Sequence, residues 1–144
     1  MAIAFGEAEA AAERGEVPVG AVIARDGALI AAAGNRTREL SDPTAHAEML
    51  VIREASRLLS AERLTEADLY VTLEPCTMCA AAISFARIRR LYFGATDDKG
   101  GAVVSGVRFF ASPTCHHMPD IYPGLGEVRA ATLLKRFFRE RRER

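Results

Sequence analysis

Two short segments hold the residues best suited to chemistry: Thr44-Ala45-His46-Ala47-Glu48 and Glu74-Pro75-Cys76-Thr77-Met78-Cys79. Together they offer one imidazole, two thiols and one spare carboxylate. Zinc favours four tetrahedral ligands, and a catalytic zinc keeps one of those places open for water. His46, Cys76 and Cys79 fill three places, so one Zn²⁺ per chain is expected, with the fourth place left to solvent. Cys76 and Cys79 are spaced i and i+3, which puts them on one face if a helix starts at Pro75. A helix N-terminus also favours thiolate over thiol. Glu48 then reads as a general base, a carboxylate close to the metal that does not bind it. The competing reading is a closed structural zinc site or a pair of buried free cysteines. Glu48 discriminates between the two, because a structural site has no use for it.

The elements that must position these groups follow from hydrophobic periodicity and turn signals. Residues 2–14 read as an amphipathic helix with Ile3 and Ala10 on its inner side. Residues 17–24 read as a buried strand, Asp26-Gly27 as a two-residue hairpin turn, and residues 29–33 as the return strand. Thr44 is the expected N-cap of a helix over 45–59. His46 and Glu48 then lie in its first turn and meet only at a point off the helix end, where unpaired N–H groups favour negative charge. A strand at 69–73 delivers Glu74-Pro75-Cys76 into a helix over 76–86, and residues 88–93 form a further strand. Residues 94–106 are loop-like, and 107–124 hold a short helical turn and a short strand near Ile121-Tyr122. Residues 127–142 form a last helix with Val128, Ala131, Leu134, Phe137 and Phe138 inward. This order predicts an α/β fold, a mixed sheet with helices on both faces, and a parallel, right-handed crossover between the third and fourth strands.

At 144 residues the chain suits one domain with a real core. Basic and acidic residues balance at 19 each, which argues against a protein that binds nucleic acid through a global positive field. The balance is uneven along the chain. Residues 135–144 hold six basic and two acidic side chains, so any polyanion contact is expected at that end. Three cysteines, two of them in metal spacing, do not make a disulfide framework, which suits a reducing cytoplasm. The alanine-rich start carries Glu7, Glu9 and Glu13 and does not read as a signal peptide. No apolar run approaches a membrane span.

With H-x-E followed by P-C-x-x-C in place, the chain resembles the cytidine deaminase-like superfamily, in which this signature marks zinc nucleobase deaminases. Within it, the chain is similar to the bacterial tRNA-specific adenosine deaminases. The segments that carry the likeness are Glu16 to Val22, Gly34-Asn35-Arg36, Asp42 to Glu48, Tyr70 to Cys79, Phe93-Gly94-Ala95 and Phe137-Phe138-Arg139. The resemblance implies a three-layer α/β/α fold with a mixed five-stranded sheet, and one zinc-dependent deaminase domain over residues 1–144. It implies hydrolytic deamination of adenosine to inosine at the wobble position of a tRNA anticodon stem-loop, by a homodimer. Guanine, cytosine or deoxycytidylate deamination is the alternative within enzymes, and a non-catalytic RNA-binding subunit the alternative outside them.

Carried over by residue, the likeness makes His46, Cys76 and Cys79 zinc ligands and Glu48 the proton shuttle. Asn35 would hydrogen-bond the target nucleoside, and the N–H groups of Ala47 and Cys76 would line the reacting edge. Asp97, His117, Phe138 and Arg139 would contact RNA. The chain departs from the family pattern at Thr96, where a basic residue is expected, and at His116-His117, where Asn-His is expected. From the residues alone, Asn35 reads as a turn residue and Asp97 as an exposed loop acid. Of Phe137 and Phe138, one should pack in the core and one should be available for stacking.

Overall fold

The computed structural model describes residues 1–142. Five strands form one sheet in the order β2-β1-β3-β4-β5: β1 (Gly20–Arg25), β2 (Ala28–Gly34), β3 (Ala67–Leu73), β4 (Arg90–Ala95) and β5 (Asp120–Tyr122). β1 runs antiparallel to both β2 and β3. β3, β4 and β5 are mutually parallel. The sheet is therefore mixed, and both expected relationships are present, the β1–β2 hairpin and the parallel β3–β4 pair. Asp26 and Gly27 turn the hairpin with φ of 52° and 76°. Two left-handed residues match the twist of the flanking strands, and Asp-Gly adopts them at low cost.

Among the described residues, four helices cover the sheet: α1 (Ala2–Glu13), α2 (Ala47–Leu59), α3 (Thr77–Ala86) and α4 (Glu127–Arg142). On one face, Ala47, Val51 and Ala55 of α2 and Ala80, Ile83 and Ala86 of α3 pack on Ile23, Leu69, Val71, Leu91 and Phe93. On the other face, Phe5 and Ala8 of α1 meet Ala130 and Leu133 of α4 beside Ala95. Alanine dominates both helix layers, so backbone comes close to the sheet. Among the described residues, no helix is long and apolar enough to cross a membrane.

Several expected boundaries and faces differ. β1 begins at Gly20, because Val19 N–H closes a local turn on Val17 O at 2.8 Å. α1 buries Ala4, Phe5, Ala8 and Ala11, leaving Ile3 exposed. α4 buries Ala130, Leu133 and Phe137, so its inner stripe lies off the expected one and Val128 faces water. Phe137 is 8% exposed and Phe138 46%, one in and one out. The short turn at Phe109–Ala111 and the strand β5 fall within the stretch expected to hold them.

Candidate active site and metal centre

Both chemical segments end at helix starts. His46 is the N-cap of α2 and Cys76 the N-cap of α3, each with extended backbone. Thr44 does not cap α2 as expected. Its N–H and hydroxyl both bond Asp42 Oδ1, at 2.8 and 2.7 Å, so the polar group that would cap is spent in a turn. The acceptor for the first turn comes from across the fold. Asn35, at the end of β2, accepts the Ala47 N–H through Oδ1 at 2.8 Å. Asn35 Nδ2 makes no hydrogen bond among the described residues.

His46 Nδ1 lies 3.6 Å from Cys76 Sγ and 3.5 Å from Cys79 Sγ. The three ligand atoms all fall within 4.8 Å of one another. Zinc binds nitrogen at about 2.0–2.1 Å and sulfur at about 2.3 Å, which in a tetrahedron places nitrogen and sulfur about 3.5–3.6 Å apart. The donor types and their separations therefore fit one Zn²⁺. Glu48 stands outside that set, 4% exposed in the first turn of α2.

Without a cation the cluster behaves as a set of groups competing for protons. The hydrogen bond from Cys79 lowers Cys76 to about 4, and the same bond together with burial raises Cys79. Hydrogen bonding to Cys76 raises His46. Burial pushes Glu48 up to about 7, against the opposing pull of the His46 charge. A divalent cation removes this asymmetry, because both sulfurs bind as thiolates and the imidazole binds neutral. It also favours the ionised form of Glu48.

Two buried acids escaped the sequence reading. Glu16 accepts Arg38 N–H and Glu39 N–H at 3.1 and 2.8 Å, and so gathers the segment between Asn35 and His46. Glu74 is 2% exposed and accepts hydrogen bonds from segment 97–105. Burial raises Glu74, but the backbone N–H groups of Asp97, Val103 and Ser105 outweigh it and hold the group below the usual carboxylate range. The available signal was an acid standing beside proline in an otherwise apolar run, where a charge needs several donors.

The structure gathers His46, Ala47, Glu48, Asn35, Cys76 and Cys79 at one place. Asp97 belongs to the loop that pairs with Cys76 through an isolated bridge at Gly101. Its Oδ1 accepts the N–H groups of Lys99 and Gly100, each at 3.1 Å, which shapes that loop. His117 is not brought to the cluster. Its N–H bonds Ser84 Oγ at 3.1 Å and its Nε2 meets Ile88 O at 2.7 Å, at the far end of α3. Ser84 lies eight positions after Cys76, roughly 12 Å along the helix axis. Phe138 and Arg139 lie on the exposed side of α4, outside the cluster.

A family profile for the cytidine and deoxycytidylate deaminase zinc-binding region matches residues 1–95, which include both helix starts and all three candidate metal ligands. The chain belongs to that family. It is also 68% identical over 142 residues to a tRNA-specific adenosine deaminase of Agrobacterium fabrum, covering 99% of this chain and 93% of that one. A second such enzyme, from Rickettsia bellii, is 46% identical over 145 residues, covering 99% of this chain and all of the relative. A solved structure from work on A-to-I editing by wobble-position tRNA deaminases superposes with a TM-score of 0.92. It is 68% identical and covers 93% of this chain and 97% of its own. The deaminase fold that the resemblance implied is thus matched over 93% of the chain.

Proposed function

We propose that the chain is a zinc-dependent hydrolase that converts adenosine to inosine at the wobble position of a tRNA anticodon. The carrying observation is Glu48, a buried carboxylate beside a three-donor cluster that does not need it as a ligand. The substrate rests on the likeness to tRNA-specific adenosine deaminases over nearly all of the chain.

Zinc, when bound to His46, Cys76 and Cys79, supplies a Lewis acid that makes water acidic enough to attack at neutral pH. Glu48 takes the proton from that water as the oxygen adds to C6 of the purine. It would pass that proton to the ring nitrogen, then take the second proton from the added oxygen and deliver it to the departing amine, so adenosine and water become inosine and ammonia. Asn35 holds the nucleoside through Nδ2 while its Oδ1 stays on Ala47. Burial of Glu48 excludes bulk water from the proton it carries. An anticodon loop presents unstacked bases, so extruding the target costs less than in a duplex.

Asp97, Phe138 and Arg139 extend the contact surface for the stem-loop. His117 enters this reading as a support of α3 instead. The chain acts as one deaminase domain in the cytoplasm and as a homodimer through α3. The exposed Phe85 of α3, 69% accessible, supplies apolar surface for the partner copy. Incubation with a wobble-adenosine stem-loop, beside free guanine, cytidine and deoxycytidylate, tests the reading: inosine in the RNA supports it, and ammonia only from a free base or nucleotide overturns it.

A further inference from the structure

Glu74 lies two residues before a metal ligand, yet its side chain points into the loop on the other side of the strand end. Oε1 accepts Asp97 N–H and the Ser105 hydroxyl, each at 2.9 Å. Oε2 accepts the N–H groups of Val103, Val104 and Ser105 at 3.0, 2.9 and 2.9 Å. Both carboxylate oxygens are thus saturated by one loop, a use of a carboxylate that an amide or hydroxyl cannot reproduce.

The loop so gathered is laid directly against the metal-binding turn. Gly101 bridges Cys76, and Ala102 N–H bonds Pro75 O at 2.9 Å. Gly101 must be glycine for this: a Cβ there would come within 2.5 Å of Glu74 Cδ and 2.6 Å of Asp97 O. Cys76 itself has an independent anchor, since its carbonyl accepts Ala80 N–H at 2.8 Å in α3. Releasing the loop is therefore expected to move the wall while Cys76 keeps its bond to α3.

We propose that Glu74 is a positioning residue, holding segment 97–105 folded against Cys76 as one wall of the active site and thereby setting how the RNA substrate engages it. This rests on the deaminase reading above. Glu74 touches neither metal nor substrate, so its influence falls on binding and not on the bond-making step.

Glu74→Gln keeps the shape but turns one acceptor into a donor that faces the loop's own donors. In the zinc-loaded protein this variant is expected to raise KM for a wobble-adenosine stem-loop at least tenfold and to leave kcat within about threefold. One zinc per chain is retained. Amide hydrogens of Val103, Val104 and Ser105 exchange with solvent faster than in wild type. Gly101→Ala, which pushes the loop from its own side with Glu74 intact, gives the same pattern and carries the test if Glu74→Gln fails to fold. Ser105→Ala, which removes one of the five bonds, gives a smaller rise. A lower melting temperature with unchanged KM, or unchanged exchange in segment 97–105, overturns the proposal. If wild type does not act on RNA, the functional reading fails, and the exchange measurement alone still decides whether Glu74 holds the loop.

Discussion

Asn35 Oδ1 accepts the backbone N–H of Ala47 at 2.8 Å, joining the end of β2 to the first turn of α2. The bond ties the Asn35 amide, proposed to hold the nucleoside through Nδ2, to the helix that carries Glu48. It also leaves the two ends of the same amide with different duties.

Those duties separate by mutation. Asn35→Asp keeps the acceptor for Ala47 and loses the Nδ2 donor, so its melting temperature should stay near wild type while KM for the RNA rises at least tenfold. Asn35→Ala loses both and should also cost about 1 kcal/mol of stability, as for a lost helix cap. Thermal melts beside steady-state kinetics check the pair.

Glu48→Ala should lower kcat by about two to four orders of magnitude, the usual contribution of a positioned acid/base. It should keep one zinc, because three other groups supply the ligands. Metal analysis of the purified variant decides: loss of zinc with Glu48 would make it a ligand. Stripping zinc from wild type with a chelator should abolish turnover, and adding zinc should restore it.

The raised Glu48 has a consequence for the metal-free protein. Its carboxyl holds a proton up to about pH 7 when folded and releases it near 4.5 when unfolded. Between those values the folded state binds more protons, so this group's contribution to stability falls as pH rises. Cys76 works in the opposite direction, being lowered to about 4. The useful quantity is therefore a difference. The melting temperature of wild type relative to Glu48→Gln should fall between pH 4.5 and 7 in metal-free protein. Zinc should shrink that fall by favouring the ionised form. Melts of both proteins across the range test it.

The two motifs were legible because each is local. His46, Glu48, Cys76 and Cys79 sit at two helix starts, and spacing alone brings them to helix ends. The hairpin at Asp26-Gly27 and the parallel β3–β4 pair were legible for the same reason. What the sequence hid depends on bonds between distant segments. Thr44 has the composition of a cap, but Asp42 takes its hydroxyl and Asn35 caps in its place from across the sheet. Glu16 and Glu74 each serve a loop more than twenty residues away in sequence. His117 sits in a polar stretch that periodicity cannot place, and its bonds to Ser84 and Ile88 carry it to the far end of α3. The inner stripe of α4 differed because contact with Phe5 and Ala95, not the helix's own pattern, selects Ala130 and Leu133.

The paired phenylalanines of α4 give a direct contrast. Phe137→Ala removes a buried ring and should cost about 3–5 kcal/mol. Phe138→Ala removes an exposed ring and should leave stability within about 0.5 kcal/mol. It should weaken RNA binding by about 1–3 kcal/mol if a base stacks there. Among the neighbouring arginines, Arg141 is partly committed to the fold, bonding Gly15 O at 3.1 Å over the Phe137 ring. Arg144 lies outside the described residues. Arg139→Ala should flatten the slope of log affinity against log salt by about 0.7, the value for one phosphate on a single strand. Salt titrations of RNA affinity read both variants.

The proposed reaction is deamination of a wobble adenosine at the cluster of His46, Cys76 and Cys79, served by Glu48. The most direct measurement is the conversion of adenosine to inosine in an anticodon stem-loop by the zinc-loaded protein, with the same RNA carrying adenosine elsewhere in the loop as the comparison. The expected result is inosine at the wobble position alone, absent with Glu48→Ala. Unchanged RNA, together with ammonia released from free guanine, cytidine or deoxycytidylate, would contradict it.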